Sequence, residues 1–467
     1  MTDFIIINDM KVRPGADSGL WALFLLPLSI IISTFKHPIT STPTYKLASL
    51  VCFGILLTST IIVVHKLKEQ KLTVFSLWTV LASAISSTVF FICFNKGLFF
   101  ALLSGVCCTF LYLKTYKFIL EKFKECFTLG EAGIASQAAI ILLYFTILNF
   151  LSHGTRAEPF KSNMQISTLI IQLGFLGIAV IAWASYFFSL KSSKPFYSVV
   201  IFTIVFVIFL PLHILLERSP VLWIFQQLCY DWSTIKLMIY WVLCTGLAVW
   251  AINKQIFSVH KASTGTRKIF HLLAVIVYIP GLLHRCSILY LASGVVTGLF
   301  FALEILRILQ MPPFGRHLQD GFLAFSDEKD VGNLALTPIY LIVGCSLPIW
   351  IHPSPCDVTD SSIFCLIPLM SGLLSIGVGD TAASIVGSNY GKHFWPGTKK
   401  TFEGTVGCML AQMGLVYFLI VFNFVPNFST EQCLKIFLAI FVTSLVEAKT
   451  TQVDNLVLPL IMYIILV

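Results

Sequence analysis

Residues 375–406 read SIGVGDTAASIVGSNYGKHFWPGTKKTFEGTV. The stretch begins in apolar sequence, sets Asp380 between Gly377 and Gly379 on one side and Gly387 and Gly391 on the other, and leaves the apolar run through Trp395-Pro396-Gly397. Lys399, Lys400 and Glu403 then fall within five residues, before the next apolar run starts. A carboxylate set in a bilayer costs about 2.5–3.5 kcal/mol on insertion scales, so Asp380 needs a partner or a task. The glycines read as flexible backbone around it. Adjacent lysines beside a glycine-rich turn offer charge and backbone N–H groups to a polyphosphate. The plainer alternative is a basic loop that only fixes topology. It accounts for the lysines and leaves Asp380 and Glu403 unexplained.

Working outward, the surroundings are those of a membrane protein. The 467 residues are 57% hydrophobic and 11% charged, with a mean hydropathy of +0.88, whereas soluble domains carry about 25% charged residues. Apolar runs recur from Leu20 to Val467 with no long polar insert. The fold expected is all-α, a polytopic integral membrane protein with about 15 transmembrane helices. The runs at 20–35, 269–283, 433–446 and 455–467 fall short of the usual lower bound of about 17 residues and read as tilted, re-entrant or packed segments. Polar clusters concentrate after residue 260, which divides the chain into an N-terminal helix array, 1–250, and a C-terminal transmembrane region, 251–467, whose loops carry the candidate site residues. The opening residues do not have the layout of a cleaved signal peptide. Thirteen cysteines form no CxxC pair and mostly sit in apolar runs, so they read as small core hydrophobes and not as a zinc site or a disulfide framework.

The net charge of +9 resides in loops between spans, where it points to headgroups and topology and not to nucleic acid. With loops alternating sides from residue 1, 22 of the 31 basic residues fall on one side. The positive-inside rule then puts the N-terminus in the cytosol and the C-terminus across the membrane. The 352–362 loop, which has Asp357 and Asp360 but no Lys or Arg, and the sequon Asn427-Phe428-Ser429 fall on the opposite side.

The polar clusters gather on the basic side. Glu131, in Phe127-Thr128-Leu129-Gly130-Glu131, reads first as a helix N-terminal carboxylate favoured by the dipole. Arg267, Lys268 and His271 share one helix face, as site residues or as interfacial anchors. Glu304 and Arg307 at i,i+3 suit a structural ion pair. Asp327, Glu328 and Asp330 surround Lys329 in a Pro/Gly-broken loop, and hard oxygen donors of this kind suit Mg²⁺ or Ca²⁺. Glu447, Thr450 or Thr451 and Asp454 would share one face of a continuous helix. Gly387–His393 imitates a phosphate-binding P-loop, but the spacing is one residue short and no Ser/Thr follows Lys392.

At GDTAASIVGSNYGKHFWPGTKKTFEGT the sequence resembles the CTP-dependent polyprenol kinases. TRKIFH, SDEKDVGNLALTPIYL with SLPIW, LVEAKTTQVDNLVLPL and FTLGEA carry the same resemblance, in order. The pattern is shared more loosely with phytol and farnesol kinases and with phosphatidate cytidylyltransferases. The resemblance implies an endoplasmic reticulum enzyme that uses CTP to phosphorylate the terminal hydroxyl of dolichol or another long polyprenol. By family match the nucleotide contacts fall on Lys399, Lys400, Thr401, Glu403, Gly404 and Thr405, while Asp380, Glu447, Asp454 and Asn455 match further polar positions. Phosphoryl transfer needs charge neutralisation, a divalent ion and an aligned nucleophile. Lys399 and Lys400 are therefore expected to hold phosphates, with Arg267, Lys268, His271 and Asn455 on the nucleotide side. Asp380, Glu447 and Asp454 are the expected catalytic groups; Asp380 and Glu403, with Asp327 and Asp330, are the expected metal ligands. Two other readings stay open: a lipid-phosphate cytidylyltransferase, and a transporter with Asp380 and Glu447 on an ion pathway. An Asp380→Asn variant is expected to insert normally, provided no buried partner is stranded.

Overall fold

The computed structural model describes residues 4–5, 10–94, 97–155, 162–256, 264–325, 330, 332–425 and 428–467. Asp327, Glu328, Lys329 and Asn427, on which one metal expectation and the sequon rest, lie outside them.

A chain this apolar must satisfy its backbone polar groups internally, and helices do so within one segment. Among the described residues nine helices are long and apolar enough to cross a membrane, or ten if the pair Ile363–Leu369 and Leu373–Tyr390, bent by 56°, is one span. Four apolar helices are shorter: Leu20–Lys36, Leu77–Ile92, Leu336–Ile351 and Asp454–Leu466. Two of the runs that looked too short are 20-residue helices, Gly265–His284 and Thr430–Lys449, because polar residues at their ends continue the helix. Thr430–Lys449 starts with a capping box on Ser429 and Gln432. The two-residue strands Phe4–Ile5 and Leu72–Thr73 pair antiparallel.

Two apolar cores hold the bundle. One joins residues between Ala22 and Leu148 to the Leu336–Ile351 and Asp454–Leu466 helices. The other joins residues from Ile166 to Trp223 with residues from Val275 to Leu291, the bent pair and the facing sides of Phe402–Val421 and Thr430–Lys449.

Polar contacts collect at the two ends of the bundle. At one end the segment after Met10 is laid against the loop before Leu129, through Glu125 N–H to Lys11 O (3.0 Å) and Arg13 N–H to Phe127 O (2.9 Å). The same end holds Lys268 on Asp380 and Lys400 on Glu447. At the other end Asp360 accepts from Ser287 N–H at 2.7 Å and Ser287 Oγ at 2.9 Å. There Cys286 and Cys356 form a disulfide across 70 residues of sequence. This corrects the reading of every cysteine as a core hydrophobe. The two halves of the bridge lie far apart in sequence, so spacing gave no sign of it.

Candidate active site

The site is built where four helix ends meet. Its central element is the stretch Leu373–Asp380, wound as a π-helix and running into Thr381–Tyr390. Such wide turns recur at functional positions. The glycines here serve close approach and not flexibility. A Cβ on Gly377 would sit 2.3 Å from Val275 Cγ2, and one on Gly379 would sit 2.7 Å from Gln412 Nε2. Asp380 is thereby pressed between the Thr264–His284 and Phe402–Val421 helices.

Lys268 donates to Asp380 Oδ2, and His271 Nε2 lies 3.7 Å from the same oxygen. His271 Nδ1 donates to the Arg267 carbonyl at 3.2 Å, which orients the ring. The charge on Asp380 therefore has the partners that its position demanded. Glu447 is the last acidic residue of Thr430–Lys449, and Asp454 is the first residue of Asp454–Leu466. The expectation of one continuous helix face is corrected: the helix stops at Lys449, Thr450 is extended (ψ 140°), and a new helix begins at Asp454. A kink, and not a seven-residue period, brings the two carboxylates together.

Carboxylate oxygens of Asp380, Glu447 and Asp454 lie within 4.8 Å of one another. Glu447 and Asp380 are buried and Asp454 is half-buried. Lys400 reaches into this group from the loop before Phe402. It donates to the Glu447 carbonyl at 2.6 Å and to Glu447 Oε1, and lies 3.9 Å from Asp454 Oδ2. Burial alone would lower its pKa, but Asp454, Glu447 and Asp380 outweigh that and hold the ammonium well above the ordinary lysine range. Three carboxylates gather here with Lys268 and Lys400 against them. Closely spaced hard oxygens of this kind fit a divalent ion such as Mg²⁺.

The loop that carries Lys400 is a small hairpin. Trp395 N–H donates to Lys400 O at 2.9 Å and Phe402 N–H to His393 O at 2.8 Å, with Gly397 at φ +75° in the turn. The Trp395 ring stacks on Phe402 at 3.8 Å and donates its N–H to Thr405 Oγ1 at 2.9 Å. Lys449 Nζ lies 5.5 Å from the Trp395 ring. Thr401 caps the following helix, its Oγ1 accepting from Gly404 N–H at 3.2 Å. A Cβ on Gly404 would meet Ala383 O at 2.8 Å, so this glycine lets two backbones touch. Glu403 turns to His393, whose Nδ1 lies 2.6 Å from Glu403 Oε1, and is not one of the three clustered carboxylates. Asp330 is also elsewhere: it accepts from Leu336 N–H, Thr337 N–H and Thr337 Oγ1, capping Leu336–Ile351. Glu304 and Arg307 form the buried structural pair, which also holds Asn333 O and Ala335 N–H.

The family profile described as dolichol kinase matches residues 102–342. The mouse dolichol kinase is 36% identical over 372 residues, covering 76% of this chain and 68% of its own. The chain belongs to the dolichol kinase family. More distant members are the Arabidopsis thaliana dolichol kinase EVAN, 32% identical over 257 residues (54% of this chain, 43% of its own), and the Saccharomyces cerevisiae dolichol kinase, 26% identical over 276 residues (58% and 50%). No solved structure matches.

Two buried polar residues near the cluster carry no motif in the sequence. Arg13, one of the basic residues ahead of the first span, is 3% exposed and paired with Glu131 at 2.8 Å. Gln412, 1% exposed, sits in the middle of an apolar helix and donates to Ser444 Oγ at 3.2 Å, one turn before Glu447. An amide inside an apolar run and a basic residue before the first span were the available signals.

Proposed function

We propose that the chain transfers the γ-phosphoryl group of CTP to the terminal hydroxyl of dolichol at the cluster of Asp380, Glu447 and Asp454. The observation that supports this most is that cluster, with Lys268 and Lys400 against it, in a member of the dolichol kinase family. The alcohol oxygen forms a bond to the γ-phosphorus as the bond from that phosphorus to the β-phosphate oxygen breaks. CDP leaves with the electron pair, and the hydroxyl proton passes to a carboxylate of the cluster. Asp380, Glu447 and Asp454 would hold a divalent cation, Mg²⁺ or Ca²⁺, which when bound neutralises phosphate charge. Lys400 keeps the carboxylates together and stands ready to exchange one of them for a phosphate oxygen. Lys399, Arg267 and the hairpin of residues 393–402 complete the nucleotide side.

The bilayer supplies the reason for the architecture. A long isoprenoid stays in the membrane, so its hydroxyl has to meet CTP at a polar site set just inside one face. We take as crossings the nine long helices among the described residues, the bent pair, the four shorter apolar ones and Thr430–Lys449, fifteen in all. The site end gathers the basic loops and would face the cytosol from the endoplasmic reticulum membrane. The end with the Cys286–Cys356 bridge would face the lumen, where disulfides persist. Purified protein given labelled CTP and dolichol should release CDP, with ATP a poor substitute. Release of pyrophosphate would instead assign a cytidylyl transfer.

A further inference from the structure

Two of the three clustered carboxylates flank a turn, Thr450–Val453, that is held from the far end of the sequence. Arg13 donates to Thr451 O at 2.9 Å and to Glu131 Oε1 at 2.8 Å. The same Glu131 oxygen accepts from Val453 N–H at 2.8 Å, 322 residues away, and the other oxygen accepts from Thr128 N–H at 3.0 Å. Val453 is the residue before the Asp454 helix, and no side chain of its own segment caps that helix. Glu131 therefore supplies the cap across the bundle.

The grip continues on both sides. Asp17 N–H donates to Thr451 Oγ1 at 3.0 Å, Gln452 Nε2 donates to Asp17 O at 3.1 Å, and Thr128 Oγ1 donates to Gln452 Oε1. Gly19, at φ +61°, leaves room for the Gln452 amide: a Cβ there would meet its Oε1 at 2.2 Å. Arg13, Glu131 and Gln452 are all buried, at 3%, 0% and 0% exposure. A buried ion pair is costly to assemble and is weak evidence for stability by itself. Here both partners spend hydrogen bonds on the backbone of one turn, which a pair serving only to neutralise itself has no need to do.

We infer that Arg13 and Glu131 are positioning residues for phosphoryl transfer: they fix the Thr450–Val453 turn and through it the placement of Asp454 beside Glu447 and Lys400. The inference rests on the reaction proposed above. A misplacement of 1 Å at a reacting centre costs on the order of 100-fold in rate. Glu131→Gln, Arg13→Met and the double variant remove the charges singly and together; the double leaves neither charge unpaired.

The expected result is that the double variant regains the melting temperature lost by the single ones, while its kcat stays at least about tenfold down. The KM for dolichol should be unchanged, since Arg13 and Glu131 are bound to Thr128 and to the Thr450–Val453 turn and are not among the clustered carboxylates. Hydrogen exchange of the Thr450–Asn455 amides should rise in every variant, with that of the Phe402–Val421 helix unchanged. Wild-type kcat in a stable double variant overturns the inference. So does exchange that is unchanged at Thr450–Asn455, or raised throughout the bundle, which would make the pair a scaffold element. If the wild-type protein forms no CDP the proposed reaction fails, and the exchange pattern still decides whether the clasp holds the turn.

Discussion

Replacing Asp380 by Asn separates the site's chemistry from its stability. By sequence, deleting a bilayer-embedded charge relieves an insertion cost and need not harm stability, provided no buried partner is stranded. The structure supplies such a partner, because Asp380 has Lys268 on Oδ2 and His271 at 3.7 Å. The amide still accepts a hydrogen bond from Lys268 but no longer balances its charge. Breaking a fully buried pair costs about 3–5 kcal/mol. The Lys268 side chain is 13% exposed, so water reaches it, and Glu447 and Asp454 stand close by. We expect a loss of about 1–3 kcal/mol, seen as a fall of a few degrees in melting temperature. Activity should fall further, on the order of 100-fold, since 1.36 kcal/mol of transition-state stabilisation is tenfold in rate. Adding Lys268→Gln should restore the melting temperature and leave the activity lost. The assay is single-turnover transfer from CTP to dolichol in detergent, with thermal unfolding measured on the same samples. Near-normal transfer by Asp380→Asn would remove Asp380 from the reaction. A double variant as unstable as the single would show that the pair with Lys268 does not govern stability.

Lys400→Ala should weaken CTP use and, contrary to a loop lysine's usual neutrality, lower the melting temperature, because Glu447 and Asp454 lose their shared cation. Mg²⁺ added without nucleotide should raise the melting temperature more in this variant than in wild type; an equal rise would speak against metal at these carboxylates. Cys286→Ser should lower stability by about 2–4 kcal/mol, as expected for a disulfide closing a long loop, with kcat within about twofold; a collapse of kcat in folded protein would tie the two ends of the bundle together. In sealed microsomes, with Cys229 and Cys433 replaced by Ser, a membrane-impermeant maleimide should label Tyr390→Cys directly and Val358→Cys only after permeabilisation. The reverse order would invert the proposed orientation.

What could be read in the sequence was whatever depends on the polarity of a short stretch. Asp380 stands out because a carboxylate in an apolar run is costly anywhere in a bilayer, and Lys400 because it crowds the same turn. Local periodicity misleads where the chain bends: a continuous helix would set Glu447 and Asp454 on one face, whereas Thr450 leaves the helix and the two meet across a break. Asp330 and Glu403 carry the charge of a metal ligand, but each is taken up nearby, one as a helix cap and the other by His393. No spacing rule distinguishes a carboxylate committed to its own loop from one left for a ligand; that depends on which neighbours fold reaches it first. The contacts that assemble the cluster run Lys400 to Glu447, Lys268 to Asp380 and Glu131 to Val453, across 47, 112 and 322 residues. Each grouping becomes tolerable only when all the partners arrive, since an unpaired member would be a buried charge. The site is therefore a property of the finished bundle, closed by the segment ahead of the first span and by the last span, whose first residue is Asp454 itself.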